Sequence, residues 1–342
     1  MSAPKKRLRV LVTGASGTVG KEVVYQLLNE KDNYEVTVFD LRTQGSRKLL
    51  GQFEGDIRIH YGDIGNEEMV AQACKDKDAI IHLAAIIPPL ADENHALAEK
   101  VNIRGTRNLI QGMLKFSPLA FFLYSSSISV YGDRLQHPLI KTVDQLVPCE
   151  RDFYAKTKLA AEKLIREKLT HWAIFRLTAI MGTNNHSASP LMFHMPLDTK
   201  MEICTPSDTA RAFVYALRHQ RELEQQIFNL SGGADCRISY RDFIQRSFKI
   251  SGLGSSGFQP GTFAEKNFHC GYYADGDNLE KILHFRHDTM EDYFVQLKQS
   301  VSPLQKGATM LLRYFIKRRL QNLSAPYKAL KKNNRTDIGY FF

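Results

Sequence analysis

Two side chains four residues apart, Tyr154 and Lys158, can do together what neither does alone. Four residues is about one helical turn, so on a helix the phenol and the ammonium share a face. A tyrosine by itself titrates near pH ~10, too high for a general base at neutral pH. A neighbouring ammonium favours the phenolate and brings it toward the working range. The pair then needs a hydroxyl beside it to bind the reacting oxygen. The stretch 124-YSSSISVYG-132 offers three, at Ser125, Ser126 and Ser127. It directly follows the apolar run 119-LAFFL-123, which reads as a buried strand. In an open α/β sheet, ligands bind at the C-terminal ends of strands, so these serines stand where a site is expected.

A second constellation lies near the start of the chain. The strand-like Val10–Val12 runs into 13-TGASGTVG-20, with glycines at 14, 17 and 20, followed by a helix-like segment. Glycines there permit a tight turn and a close approach of backbone N–H groups to a pyrophosphate, which the helix N-terminus favours. Gly14, Ser16, Gly17, Thr18, Val19 and Gly20 are therefore candidate cofactor-binding residues. Asp40 ends the next strand, 20 residues beyond Gly20, where an acid accepts both ribose hydroxyls and repels a 2′-phosphate. That favours NAD. Arg42 can partner a phosphate, which leaves NADP open.

With these residues in order, the chain resembles the extended short-chain dehydrogenase/reductases, or NAD-dependent epimerase/dehydratase family. The resemblance rests on 13-TGASGTVG, Asp40, 62-GDI, 82-HLAA, 101-VNIRGTRNL, the serine before V-Y-G and 154-YAKTK, and extends from about residue 8 to about residue 298. It implies that Asp63 and Ile64 flank the adenine and that Leu83, Ala84 and Ala85 line the cofactor trough. It also implies that Asn102 holds a helix bend near the site. The family's catalytic serine lies three residues before the valine of V-Y-G, which here is Ser127. Strand alternation sets Ser126 on the opposite face, as a structural hydroxyl, and leaves Ser125 deeper, on the cofactor side. The implied catalytic set is Ser127, Tyr154 and Lys158, with Tyr154 and Lys158 also touching the cofactor. His82 reads as a buried strand-end histidine.

Departures from the family's patterns narrow the reaction. Its sugar-nucleotide dehydratases carry an Asp-Glu pair just after the catalytic hydroxyl, whereas this chain has Ile128 and Ser129, which argues against dehydration. Its nucleotide-sugar epimerases carry an asparagine and an arginine for the diphosphate at positions occupied here by Ala179 and Met201. The stretch between Gly182 and Asp208 is apolar, with Leu191, Met192, Phe193, Met195 and Leu197, and reads equally as a pocket wall or as core. The serine segment is also similar to that of the 3β-hydroxysteroid dehydrogenase branch. The expectation is an NAD-dependent oxidoreductase of a non-nucleotide alcohol, ketone or aldehyde. A nucleotide-sugar epimerase with an atypical phosphate site, or a non-catalytic dinucleotide-binding scaffold, are the alternatives.

The elements that must position these groups alternate strand and helix through the first half, which predicts a doubly wound parallel sheet of Rossmann type with a smaller annex. A long helix is expected over Glu93–Leu114, another over Tyr154–Lys168, and turns over Asn184–Ser189. The dinucleotide-binding domain is assigned to residues 1–180 with returning elements near 205–235, a substrate-binding annex to 181–300, and a basic extension to 301–342.

Five scattered cysteines without a C-x-x-C motif fit a reducing, cytoplasmic setting and predict neither a disulfide framework nor a metal site. No secretory signal is visible at the N-terminus, where the basic 1-MSAPKKR leads directly into a short strand. Of the net charge of +10, eight units come from Lys306 onward, where nine basic residues face the single acid Asp337. The body is nearly neutral, which argues against a nucleic-acid groove. The segment 310-MLLRYFIKRRLQNL-323 suggests a helix with Leu312, Ile316, Leu320 and Leu323 as its apolar stripe. It reads as a solvated basic helix on the body with a loose end. Docking on an acidic partner protein or an anionic membrane surface are its functional readings. A homodimer is expected from the resemblance alone.

Overall fold

A computed structural model describes residues 6–183 and 189–342. The predicted turns at 184–188 and the first five residues lie outside the described residues. The strands, in chain order, are β1 (Leu8–Thr13), β2 (Tyr34–Asp40), β3 (Arg58–Tyr61), β4 (Ala79–His82), β5 (Phe121–Ser127), β6 (Leu139–Ile140), β7 (Trp172–Leu177), β8 (Ala179–Ile180), β9 (Lys200–Cys204), β10 (Gln226–Leu230), β11 (Arg237–Ser239) and β12 (Tyr272–Tyr273). Seven of them form one sheet in the order β10-β7-β5-β4-β1-β2-β3. Every pairing in it is parallel. This is the doubly wound Rossmann arrangement, and its order reverses between β1 and β4, the position at which open α/β sheets generally bind ligands.

Strand alternation explains the two layers. Val10 and Val12 face one layer with Val23, Val24 and Leu27 of the first helix, Thr18–Asn29. Leu11 faces the other with Val70, Leu109 and Ile165. Each such side chain, fully buried, contributes about 1.5–3 kcal/mol. The chain returns to the sheet late. β10 pairs with β7, and the helix Pro206–Ala216 lies on the first helix, where Gln26 donates to the Ser207 carbonyl at 2.9 Å. The annex has its own three-stranded sheet, β11-β9-β8, and a core that includes Met201, Ile203, Phe243 and Phe294. Phe193 is fully buried there, with Met192, Met195 and Leu197 packed against it. Those apolar residues thus belong chiefly to the annex core.

Two expected elements differ. The single helix over Glu93–Leu114 is instead Leu90–Glu93, His95–Ala98, a π-helical turn Glu99–Arg104 and Gly105–Phe116. The serine run does not follow its strand but continues it, since β5 starts at Phe121 and includes Ser125 to Ser127. Leu119, expected to open that strand, is exposed.

Candidate active site

The glycine loop closes the end of β1. Gly14 has φ +70°, and a Cβ there would lie 2.7 Å from the Ala84 backbone at the end of β4. A Cβ on Gly20 would fall 2.1 Å from the Gly14 carbonyl oxygen. Both positions exclude a side chain, the first by conformation and contact, the second by contact alone. Gly17 caps the first helix and Thr18 begins it, so that helix's free N–H groups face the loop beside Ser16 and Val19. Asp40 at the end of β2 accepts from the Ser16 N–H at 2.6 Å and from the Leu41 N–H at 2.8 Å. Its carboxylate therefore borders the loop. Arg42 is exposed. Asp63 pairs with Lys100, which holds its carboxyl below the usual range, and Ile64 packs beneath Gly105. Leu83 and Ala85 flank Ala84 and are half-buried.

Asn102 sits in the π-helical turn and is buried. Its Oδ1 accepts from the Ile86 N–H at 2.8 Å, and its Nδ2 donates to the Ile86 carbonyl and to Thr157 Oγ1, both at 2.9 Å. Thr157 in turn donates to the Tyr154 carbonyl at 2.7 Å. The widened turn thus ties the loop after β4 to the Tyr154 helix. His82 is enclosed between Thr13 and Thr106, at 2.8 and 2.9 Å. Thr106 gives its proton to the Asn102 carbonyl at 2.7 Å, so His82 Nε2 carries the ring proton and Nδ1 accepts from Thr13. Burial, with Lys158 adding to it, takes this imidazole down to about 3 and keeps it neutral.

The helix Phe153–Lys168 delivers Tyr154 and Lys158. Asp152 caps it, accepting from the Ala155 N–H at 2.8 Å, and pairs with His269 at 2.9 Å. Asp92 accepts from the Tyr154 N–H at 3.1 Å, and burial raises its carboxyl. Ser127 lies near enough to the Tyr154 phenol to favour its ionised form. Ser127 Oγ also accepts from the Ser129 N–H at 3.2 Å, which frees its proton for an oxygen on the other side. Lys158 Nζ donates to the Ser125 carbonyl at 2.7 Å and lies 5.5 Å from the Tyr154 ring centroid. Ser125 Oγ donates to the His82 carbonyl at 3.1 Å. Ser126 points to the other layer and donates to Glu162.

The electrostatics correct one expectation. Burial raises Tyr154 well above its ordinary value, Ser127 only partly offsets this, and Asp152 and Asp92 add to it. Lys158 does not bring the phenol down here. Burial instead lowers Lys158 itself to about 7, against the pull of Glu162. The phenol is a proton donor in this state, and the lysine is poised near neutrality.

Sequence reasoning missed the buttress behind these groups. Glu162, one turn beyond Lys158, grips the buried Arg176 of β7 by two bonds, at 3.0 and 2.8 Å. Arg176 also donates to Tyr131 Oη at 2.8 Å, Tyr131 to Asn229 at 2.8 Å, and Asn229 to Asp275 at 2.8 Å. A charged residue inside the apolar strand 172-WAIFRL was the available signal, because a buried charge requires a partner. Asp152 was legible as a helix cap, but His269 and Asp92 arrive from distant segments.

Residues 11–170 match the 3-beta hydroxysteroid dehydrogenase/isomerase family. A dTDP-glucose 4,6-dehydratase of Mycobacterium tuberculosis (strain H37Rv) is 28% identical over 181 residues, covering 52% of this chain and 54% of the relative. One from Mycolicibacterium smegmatis is 30% identical over 185 residues, with the same coverage. The chain thus spans about half the length of the curated relatives it matches. Among solved structures, UDP-glucuronic acid 4-epimerase from Bacillus cereus, in complex with UDP-glucuronic acid and NAD, aligns with a TM-score of 0.70 at 20% identity. That match covers 85% of this chain and 99% of the other. Pal from Bacillus thuringiensis aligns with a TM-score of 0.68 at 20% identity, covering 85% and 98%. The fold is that of these two solved structures, and over residues 11–170 the chain is similar to the dehydrogenase family whose model it matches.

Proposed function

We propose that this protein is an NAD-dependent oxidoreductase that interconverts a non-nucleotide alcohol with its ketone or aldehyde. The observation that carries this reading is the convergence of Ser127, Tyr154 and Lys158 beside a glycine loop that tolerates no side chain at Gly14 or Gly20. Gly14, Ser16, Gly17, Thr18, Val19 and Gly20 would hold the pyrophosphate, and Asp40 the adenosine ribose. Asp63 and Ile64 would flank the adenine. Leu83, Ala84, Ala85 and Ser125 would border the nicotinamide half, with Asn102 fixing the loop that follows. NAD bound there supplies the hydride acceptor or donor.

Tyr154 exchanges a proton with the substrate oxygen. Ser127, with its Oγ already accepting from Ser129, gives its own proton to that oxygen as negative charge develops. Lys158, buried and with no carboxylate in ion-pair range among the described residues, would when protonated bind ribose hydroxyls and, with cofactor and substrate in place, favour the phenolate. Asp152 and Asp92 fix the start of the helix that bears both groups.

The similarity to nucleotide-sugar epimerases favours a second reading, in which the substrate carries a diphosphate. Against it, Met201 is buried in the annex core. The annex arginines Arg237, Arg241, Arg246 and Arg286 are each already held by a carboxylate, on Glu202, Asp198, Glu291 and Asp277. A diphosphate would compete with these carboxylates for the arginines. The test is a thermal-shift and NADH-absorbance panel with NAD and secondary alcohols, ketones, UDP-sugars and dTDP-glucose. Turnover of an alcohol is the expected result. Strong stabilisation by a UDP-sugar, without alcohol turnover, would overturn the substrate assignment.

A further inference from the structure

We propose that the outward face of the helix Pro303–Leu323 adsorbs to an anionic lipid surface. The expected apolar stripe of Leu312, Ile316, Leu320 and Leu323 is only partly the packed one. Leu320 is buried and Ile316 packs on the annex core, while Leu312 and Leu323 are exposed. The inner side is closely fitted. A Cβ on Gly252 would lie 2.7 Å from the Lys306 carbonyl, and Lys317 Nζ donates to the Ser255 carbonyl at 2.5 Å. The expected loose end is likewise anchored. Helices Ala325–Lys331 and Arg335–Phe341 follow, Phe341 is buried, and Asp337 pairs with Arg151 at 2.8 Å.

The helix is therefore held with a second stripe turned to solvent. Leu304, Leu311 and Phe315 recur at i, i+7 and i+11 and are 88%, 85% and 69% exposed, with Tyr314 beside them at 67%. Arg318 and Arg319 continue the stripe toward the C-terminal end and are exposed. From Pro303 to Thr336 there is no acidic residue, so no repulsion opposes a negative surface.

This combination of leucines, aromatic rings and arginines on one rigid face suits a helix lying in the plane of a bilayer interface. The stripe offers few directional polar groups, which a fluid lipid surface does not need but an acidic protein partner would engage. Adsorption rather than spanning is the mode, since among the described residues no helix is long and apolar enough to cross a membrane. Each basic residue near such a surface is worth about fivefold in partitioning.

The test is co-sedimentation of the full chain with vesicles of phosphatidylcholine alone and with about one third phosphatidylglycerol. Binding is expected only to the second, weakened by added salt. The variant Leu311→Asp/Phe315→Asp alters exposed positions and should keep its melting temperature, yet lose at least about tenfold in binding. Arg318→Glu/Arg319→Glu should do the same. No binding to the anionic vesicles, or equal binding by these variants, would overturn the proposal. So would capture by polyglutamate but not by vesicles, which would assign the face to an acidic protein. A dimer that Leu311→Asp/Phe315→Asp converts to monomer would assign it to a second copy.

Discussion

Two buried cations lie on either side of one carboxylate, and they are built for opposite ends. Arg176 in β7 is held by both oxygens of Glu162, by Tyr131 and by the Thr142 carbonyl. Lys158, one helical turn before Glu162, has among the described residues only the Ser125 carbonyl as a hydrogen-bond partner. The same acid neutralises the first and merely leans on the second. A guanidinium with four of its five N–H groups bonded has little capacity left for a ligand, and its removal strands a buried acid. An under-bonded ammonium costs stability in every molecule and is retained only where something else will use it. On the proposed function, the difference would separate what holds the site from what acts in it.

The largest expected effect falls on turnover. Lys158→Met and Tyr154→Phe should each reduce NADH formation by roughly 10²–10⁴-fold, measured at saturating NAD, with the fold retained. If Lys158→Met keeps full turnover, the contrast between the two cations has no functional content. Next, Arg176→Met should destabilise the protein by about 3–5 kcal/mol because Glu162 is left buried and unpaired. Urea unfolding measures this, and turnover per folded molecule should change far less than for Lys158→Met.

The double variant Glu162→Gln/Arg176→Met sharpens the same point. With both charges gone it should recover part of that loss, a coupling of about 0.5–3 kcal/mol in a double-mutant cycle. Strict additivity would mean that the pair does not act as a unit.

The smallest effect is a pH dependence with a definite sign. Lys158 titrates at about 7 in the folded chain and at its ordinary value of 10.5 when unfolded. Below about 7 it is protonated in both states, and the folded state bears the full cost of the buried charge. Between those two values the unfolded chain binds more protons, so stability rises with pH. Lys158→Met has no such proton. It should therefore melt above the parent at pH ~6, by at least roughly 2–4 °C, and the gap should narrow toward pH ~10. A gap that widens with pH would contradict the assigned shift.

What the sequence revealed and what it hid divide along the range of the interactions involved. The glycine loop, Asp40 and the Tyr154–Lys158 spacing are local patterns, set by strand and helix periods, and they were legible. The Glu162–Arg176 pair joins a helix to a strand whose proximity only the sheet order creates. The π-helical turn at Asn102 has no compositional mark, because it shifts backbone bonding without changing the apolar rhythm. A single expected helix over Glu93–Leu114 was the result. The tail helix shows a third limit. Its sequence supports two apolar stripes, and only the packing at Gly252 and Leu320 decides which one turns inward.

The Asn102 turn has a consequence for motion. Ile86 lies outside any helix or strand, yet its N–H is locked on Asn102 Oδ1 and its carbonyl on Asn102 Nδ2. The Ile86 amide should therefore exchange with solvent deuterium slowly, unlike an ordinary loop amide. Its release would report when the segment after β4 parts from the Tyr154 helix, and one resolved peptide would show it.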